Sequence, residues 1–222
     1  MFKLELKSLI RIPIVRHTKF FTRILGYGLV VVLISSCASS RPSNIDNICS
    51  IFDDSRSWYT AAKKAQQRWG SPISVSMAII YQESGFRARA KPERNRFLWV
   101  FPGRRASSAY GFAQALDGTW EDYERLSGNG RASRSNFSDA VDFVGWYNAN
   151  SSRISNISKN DARGLYFAYH EGNGGYKNGT YREKQWLLDA GGRVQSNSDR
   201  FAIQLNGCRE ELDKNWFQRR LF

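Results

Sequence analysis

Apolar and polar positions along the chain alternate with helical rather than strand periodicity. Asp54 or Ser55 offers an N-cap for a helix that runs through Trp69 and stops at Gly70, and Pro72 opens a second that runs through Ser84 and stops at Gly85. In the second helix Ile73, Met77, Ile80 and Tyr81 fall at helical spacings that gather them into one apolar stripe. Ser138 precedes a helix over residues 139–153, and Asn160 precedes one over 161–170 that ends before Gly172. Thr180-Tyr-Arg-Glu183 has the form of a capping box, in which a hydroxyl and a carboxylate satisfy backbone donors at a helix start. The segment it opens is expected to pause at Gly191-Gly192 and resume to about Leu205. Strand alternation is scarce. The exception is Arg96-Phe-Leu-Trp-Val-Phe101, which runs into Pro102-Gly103 and predicts one arm of a hairpin. The pattern predicts a mainly α domain with at most a small β-hairpin.

The first 36 residues need a separate reading. Lys3, Lys7, Arg11, Arg16, Lys19 and Arg23 precede an apolar run over residues 24–34, which is too short for a permanent membrane helix and ends in Ile34-Ser35-Ser36-Cys37. This is the form of an export signal, and its end resembles a bacterial lipobox. The resemblance implies that Cys37 is acylated and becomes the mature N-terminus. The expected organisation is a signal peptide over 1–36, a lipidated N-terminus and polar tether over 37–50, and one folded domain over 51–222. With 222 residues, 41% of them apolar, the chain fills one core and not comfortably two.

Export changes how the charge is read. Losing residues 1–36 removes six basic residues and Glu5, which takes the formal charge from +13 to +8. A basic exported protein suits an acidic partner, such as a cell wall carrying acidic peptides or an anionic membrane, and export argues against nucleic acid. With Cys37 assigned to lipid, Cys49 and Cys208 remain, and an isolated pair in an oxidising compartment is more often bridged than free. No metal site and no cofactor are expected, because the only histidines are His17, inside the signal, and His170.

The chemistry centres on Ile79-Ile80-Tyr81-Gln82-Glu83-Ser84-Gly85, which puts a carboxylate in the last turn of an otherwise apolar helix. Partial burial and the negative end of the helix dipole both favour a protonated Glu83, as a general acid requires. Local pattern alone equally allows Glu83 a surface position at a frayed helix end.

Three segments in order alter that balance: Glu83-Ser84, then Ala109-Tyr-Gly-Phe-Ala-Gln114, then Ala168-Tyr-His-Glu-Gly172. They resemble the Glu-Ser, Gly-Leu-Met-Gln and Ala-Tyr-Asn-x-Gly motifs of soluble lytic transglycosylases and goose-type lysozymes. The resemblance implies a lysozyme-like domain with a groove for peptidoglycan strands, and a monomer. It implies Glu83 as the catalytic acid/base, with Ser84, Gln114, Tyr169, Tyr110 and Glu171 as substrate-binding candidates. Phe112-Ala113 replaces Leu-Met, and His170-Glu171 replaces Asn-x. A tyrosine found late in that family has Tyr176, Tyr181 and Phe201 as candidates here.

Ordinary glycosidases use two carboxylates. Between Glu83 and Gln114 the only other acid is Glu93, set among Lys91, Arg94 and Arg96, where a surface ion pair is the simpler reading. A single-carboxylate route is preferred, and the resemblance implies cleavage of the MurNAc-GlcNAc bond with closure of a 1,6-anhydro ring. The alternatives are a hydrolytic lysozyme of the same fold, using Glu93 or Asp117 to activate water, and a non-catalytic peptidoglycan-binding lipoprotein. Residues 87–108 insert seven basic residues and three aromatics between the first two motifs, either to flank the groove or to face a membrane or partner. The expected location is the cell envelope, lipid-anchored on the periplasmic face of a membrane, with the outer membrane favoured.

The maturation reading is testable. A Cys37→Ser protein should lose lipid attachment and remain unprocessed or leave the membrane fraction, while a protein starting after Cys37 should be soluble and active. Fractionation with lipid labelling checks this; membrane retention of the processed Cys37→Ser protein would contradict it.

Overall fold

A computed structural model describes residues 41–97 and 101–214; residues 1–36, expected to be a signal peptide, and Cys37 lie outside the described residues. The sequence-derived starts and stops hold at the first two long helices. After a short helix α1 (Ile48–Asp54), α2 (Arg56–Trp69) stops at Gly70 and α3 (Ile73–Ser84) at Gly85. Both glycines adopt the left-handed conformation that ends a helix at little steric cost. Then come a hairpin of β1 (Arg94–Phe97) and β2 (Phe101–Arg105), and helices α4 (Asp117–Ser127), α5 (Phe137–Ser155) and α6 (Ala162–Asn178). A short 3₁₀ turn (Thr180–Glu183) leads into α7 (Gln185–Asp213). The domain is mainly α, as the periodicity predicts.

Helix α3 is the axis of the fold. Every residue from Ile73 to Ile80 is buried, because α7, α5 and α6 pack around it, so it buries far more than the single stripe expected. Helix α2 lies along α5, and α6 fills the space between α5 and α7. The α2–α5 seam is fixed by aromatic packing: the Trp58 and Phe137 rings stack with centroids 4.0 Å apart, and Phe112 meets both edge-on. A buried polar node backs it. Asp142 accepts from Trp69 Nε1 at 2.9 Å and from the Tyr123 hydroxyl at 2.8 Å, and pairs with Arg68 at 3.0 Å.

Five expectations change. The folded domain begins before residue 51: Asn47 caps α1, Ile48 is fully buried, and Arg41 Nε donates to the Gly85 carbonyl at 2.8 Å. The aromatic run at 96–101 spans both strands rather than one arm, with Phe97 paired to Phe101 and residues 98–100 outside the description. Thr180 does not cap a helix, since its hydroxyl donates to Glu171 and to the Gly175 carbonyl. Nor does α7 pause at Gly191-Gly192. A Cβ at Gly191 would lie 2.3 Å from the Phe167 ring, so the glycine serves close packing of α6 on α7 within an unbroken helix. The stop expected at Gly172 is a kink instead, with φ 73° and ψ 163°, after which α6 resumes.

Cys49 on α1 is bonded to Cys208 on α7, which clamps the start of the domain to its last helix. The bridge spans 159 residues, and closing a loop of that length is worth about 5 kcal/mol in the chain-entropy model. Ile48, Ile51 and Phe52 still bury α1 against the core without it. A Cys49→Ser/Cys208→Ser protein should therefore fold with a markedly lower denaturation midpoint. Denaturant melts of the oxidised, reduced and substituted proteins check this; no difference between oxidised and reduced protein would contradict it.

Candidate active site

Glu83 sits in the last turn of α3, two residues before the glycine that ends it. The residue as a whole is half-buried, yet its carboxyl group lies inside the protein. Burial pushes its pKa up from 4.5 to about 7, against the opposing effect of a hydrogen bond from the Tyr166 hydroxyl. Burial therefore supplies what the sequence reading divided between burial and the helix dipole. At neutral pH this carboxyl group is poised between acid and base.

Beyond Ser84 the chain reverses sharply. Gly85 and then Phe86 both take left-handed backbone, with φ of 56° and 62°. That conformation is costly for a phenylalanine and is held by full burial of its ring against Trp58 and Tyr81. The reversal sends residues 87–90 toward the second motif, where the Ala90 carbonyl accepts from the Gly111 amide at 2.9 Å and from Gln114 Nε2 at 3.0 Å.

The second motif is a tight loop closed by a bridge between Tyr110 and Ala115. Gly111 has φ 80°, and a Cβ there would come within 2.0 Å of the Arg134 carbonyl oxygen, so glycine is required. Gln114 Nε2 also donates to the Gly111 carbonyl at 2.8 Å. Its amide hydrogens thus brace the loop, and its side-chain oxygen is the group left to meet a ligand. The third motif joins the second through the Tyr169 hydroxyl, which donates to the Ala113 carbonyl. Burial raises the Tyr169 pKa well above the ordinary tyrosine value, and the nearby Glu83 charge raises it further.

The structure thus brings Glu83, the loop holding Gln114, and Tyr169 together. Ser84 is buried, and its hydroxyl donates back to the Ile80 carbonyl at 3.2 Å, which makes it part of its own helix end. Tyr110 lies half-buried to one side, with Lys91 Nζ and the Arg134 guanidinium 5.2 and 5.4 Å from its ring centre. Glu171 is placed apart. Its side chain is only 6% exposed, and its carboxylate accepts from Lys184, Thr180 and His170. Those bonds, Lys184 first, hold its pKa down at about 2. This carboxylate braces the turn after the Gly172 kink instead of facing a ligand.

The sequence reading missed Tyr166, the residue that bonds Glu83. It stands three positions before Tyr169 on α6, so both lie on one helix face, and that spacing was the available signal. Of the late candidates, Tyr176 stacks on Tyr181 and Tyr181 on Phe167, while Phe201 is buried against Tyr81. Their rings are engaged in packing.

The raised pKa has a consequence for stability. Between about pH 4.5 and 7 the folded protein holds a proton on Glu83 that the unfolded chain has released, so stability falls as pH rises through this window. The loss reaches at most about 3 kcal/mol above pH 7. Glu83→Gln removes it. The substituted protein should melt higher than wild type at pH 8, with the gap closing toward pH 4; parallel melts across the range would contradict this.

Comparison with known proteins fits this arrangement. Among the described residues no helix is long and apolar enough to cross a membrane. No curated protein and no solved structure gives a match to the chain. The family model described as Transglycosylase SLT domain matches residues 25–208, which takes in all three motifs and every helix from α1 through most of α7. The chain therefore belongs to the transglycosylase SLT domain family, lysozyme-like lytic transglycosylases that act on the peptidoglycan of the cell envelope.

Proposed function

We propose that the protein cleaves the MurNAc-GlcNAc β-1,4 bond with Glu83 as its only acid/base and leaves a 1,6-anhydro-muramic acid end. The observation that carries this reading is a buried Glu83 with its pKa near 7, acted on by burial and by Tyr166 and by no second carboxylate among the described residues. The acids a hydrolytic route would call on are committed elsewhere or distant from burial. Asp117 pairs with Arg134 at 2.7 Å, and Glu93 is exposed.

The step balances without water. Protonated Glu83 gives its proton to the glycosidic oxygen as the bond from that oxygen to the muramic anomeric carbon breaks. The substrate's own N-acetyl oxygen stabilises the positive charge at that carbon. The Glu83 carboxylate then takes the proton from the 6-hydroxyl of the same sugar, whose oxygen bonds to the anomeric carbon and closes the ring. Glu83 ends protonated, as it began. Tyr166 donates to the carboxylate in its anionic phase, which limits how far burial raises the pKa. Tyr169 holds the Gln114 loop beside the acid through the Ala113 carbonyl, and Gln114 offers its side-chain oxygen to a sugar hydroxyl. Lipidation at Cys37 confines this activity to the envelope, at the periplasmic face of the outer membrane.

Glu83→Gln should lower release of muropeptides from purified sacculi by roughly 10²- to 10⁴-fold, the range typical of acid/base loss. Mass spectrometry of the wild-type products should find anhydro ends. Reducing ends would establish a hydrolase, and an absence of any release by folded wild-type protein would leave a binding lipoprotein.

A further inference from the structure

Lys91, Arg105, Ser107 and Ser108 belong to no family motif, yet with Arg134 and the first two residues of the second motif they enclose a cavity of about 310 Å³. Lys91, Arg105, Ser107, Ser108, Tyr110 and Arg134 line it, a volume at the lower end of those that hold small ligands. Its cations differ in state. Arg134 is fixed by the Ser108 and Ala115 carbonyls and balanced by Asp117. Arg105 is anchored on the Pro92 carbonyl, and Lys91 rests over the Tyr110 ring. Among the described residues no carboxylate pairs with Lys91 or Arg105, so the cavity keeps two uncompensated positive charges. An aromatic floor and pre-positioned cations describe a recess for a carboxylate attached to an organic chain.

The cavity adjoins the second motif, which Tyr169 ties to the neighbourhood of Glu83. Tyr110 opens the loop whose Ala113 carbonyl receives Tyr169, and Lys91 follows the Ala90 that binds Gly111 and Gln114. The glycan backbone of peptidoglycan is uncharged; its anions sit on the peptides borne by muramic acid. A cationic recess beside the scissile bond meets negative charge through that peptide. A lipid headgroup would call for basic residues on a protruding surface, whereas these surround a hollow.

We infer that this cavity is a stem-peptide subsite, in which Lys91 and Arg105 grip a free carboxylate of the peptide carried next to the bond that Glu83 cleaves. The inference rests on the proposed glycan-cleaving role of Glu83. It makes the protein selective for strands bearing acidic peptides over strands whose peptides are amidated.

The test measures binding and turnover separately. The acidic stem tripeptide L-alanyl-γ-D-glutamyl-meso-diaminopimelate and its fully amidated form are titrated by NMR into wild type, Lys91→Gln and Lys91→Gln/Arg105→Gln. Among the described residues Lys91 forms no hydrogen bond that the single change would break, so that variant guards against loss of the hairpin. The double variant should weaken acidic-peptide binding by roughly 3- to 10-fold, as partly exposed charge pairs do, and amidation should do the same to wild type. The rate ratio for glycan bearing the acidic peptide against glycan bearing the amidated peptide should fall toward one in the double variant. Equal binding of the acidic and amidated peptides, or equal losses on both glycans, would overturn the inference. So would loss of binding to phosphatidylglycerol vesicles with peptide binding intact, which would assign the cations to a membrane. Peptide binding without any glycan turnover by wild type would instead sink the role of Glu83, and turnover without peptide binding would sink this subsite alone.

Discussion

Everything in this molecule depends on surrounding α3 with other helices. A helix enclosed by α5, α6 and α7 must be buried on all sides, and every position from Ile73 to Ile80 is, the two polar ones, Ser74 and Ser76, meeting the hydroxyls of Ser198 and Ser71. The enclosure also carries the last turn into a poorly solvated region, where a carboxyl group cannot ionise at its ordinary pKa. Glu83 is placed there, and Gly85 and Phe86 turn the chain away immediately after it. The core and the acid site are consequences of one burial. The same constraint sets a cost, because a glutamine at this position would suit the interior better than a glutamate that ionises near neutral pH.

Around the acid, the structure relies on backbone carbonyls more than on side-chain pairs. The Ala90, Gly111, Ala113 and Arg134 carbonyls accept the bonds that tie the chain after α3 to the Gln114 loop and that loop to Tyr169. Such ties fix position without adding charge. The charged groups nearby are balanced locally, Asp117 by Arg134 and Glu171 by Lys184, which leaves the electrostatics of Glu83 to burial and to one tyrosine. The exception is the hollow beneath Lys91 and Arg105, where positive charge is left open.

The family motifs and the residues that perform their work do not coincide one for one. Glu83, Gln114 and Tyr169 meet, but Ser84 serves its own helix end, and Glu171 serves the turn after α6. Tyr166 belongs to no motif and yet makes the one hydrogen bond that acts on the acid. The Cys49–Cys208 bridge adds nothing to this site directly. It holds α1 against α7, and so fixes the layer that closes over α3 from outside.

Local chemistry explains what was legible in the sequence. Helix ends at Gly70 and Gly85 follow from the left-handed freedom of glycine, the mainly α class from periodicity, and the candidate acid from a lone carboxylate in an apolar turn. Each is decided within a few residues of itself. The tertiary structure decided whatever depends on a neighbour distant in the chain. Gly191-Gly192 reads as a break until Phe167 shows why a side chain is excluded there, and Thr180 reads as a cap until Glu171 claims its hydroxyl. Tyr166 had a detectable spacing from Tyr169, but its meaning required α6 to lie against the end of α3. Sequence by itself singled out Glu83 as the candidate acid, since a carboxylate in an apolar turn and the order of three short motifs are both written along the chain. The fold decided its pKa and its partner, because burial and hydrogen bonding belong to segments that meet only when the chain is folded.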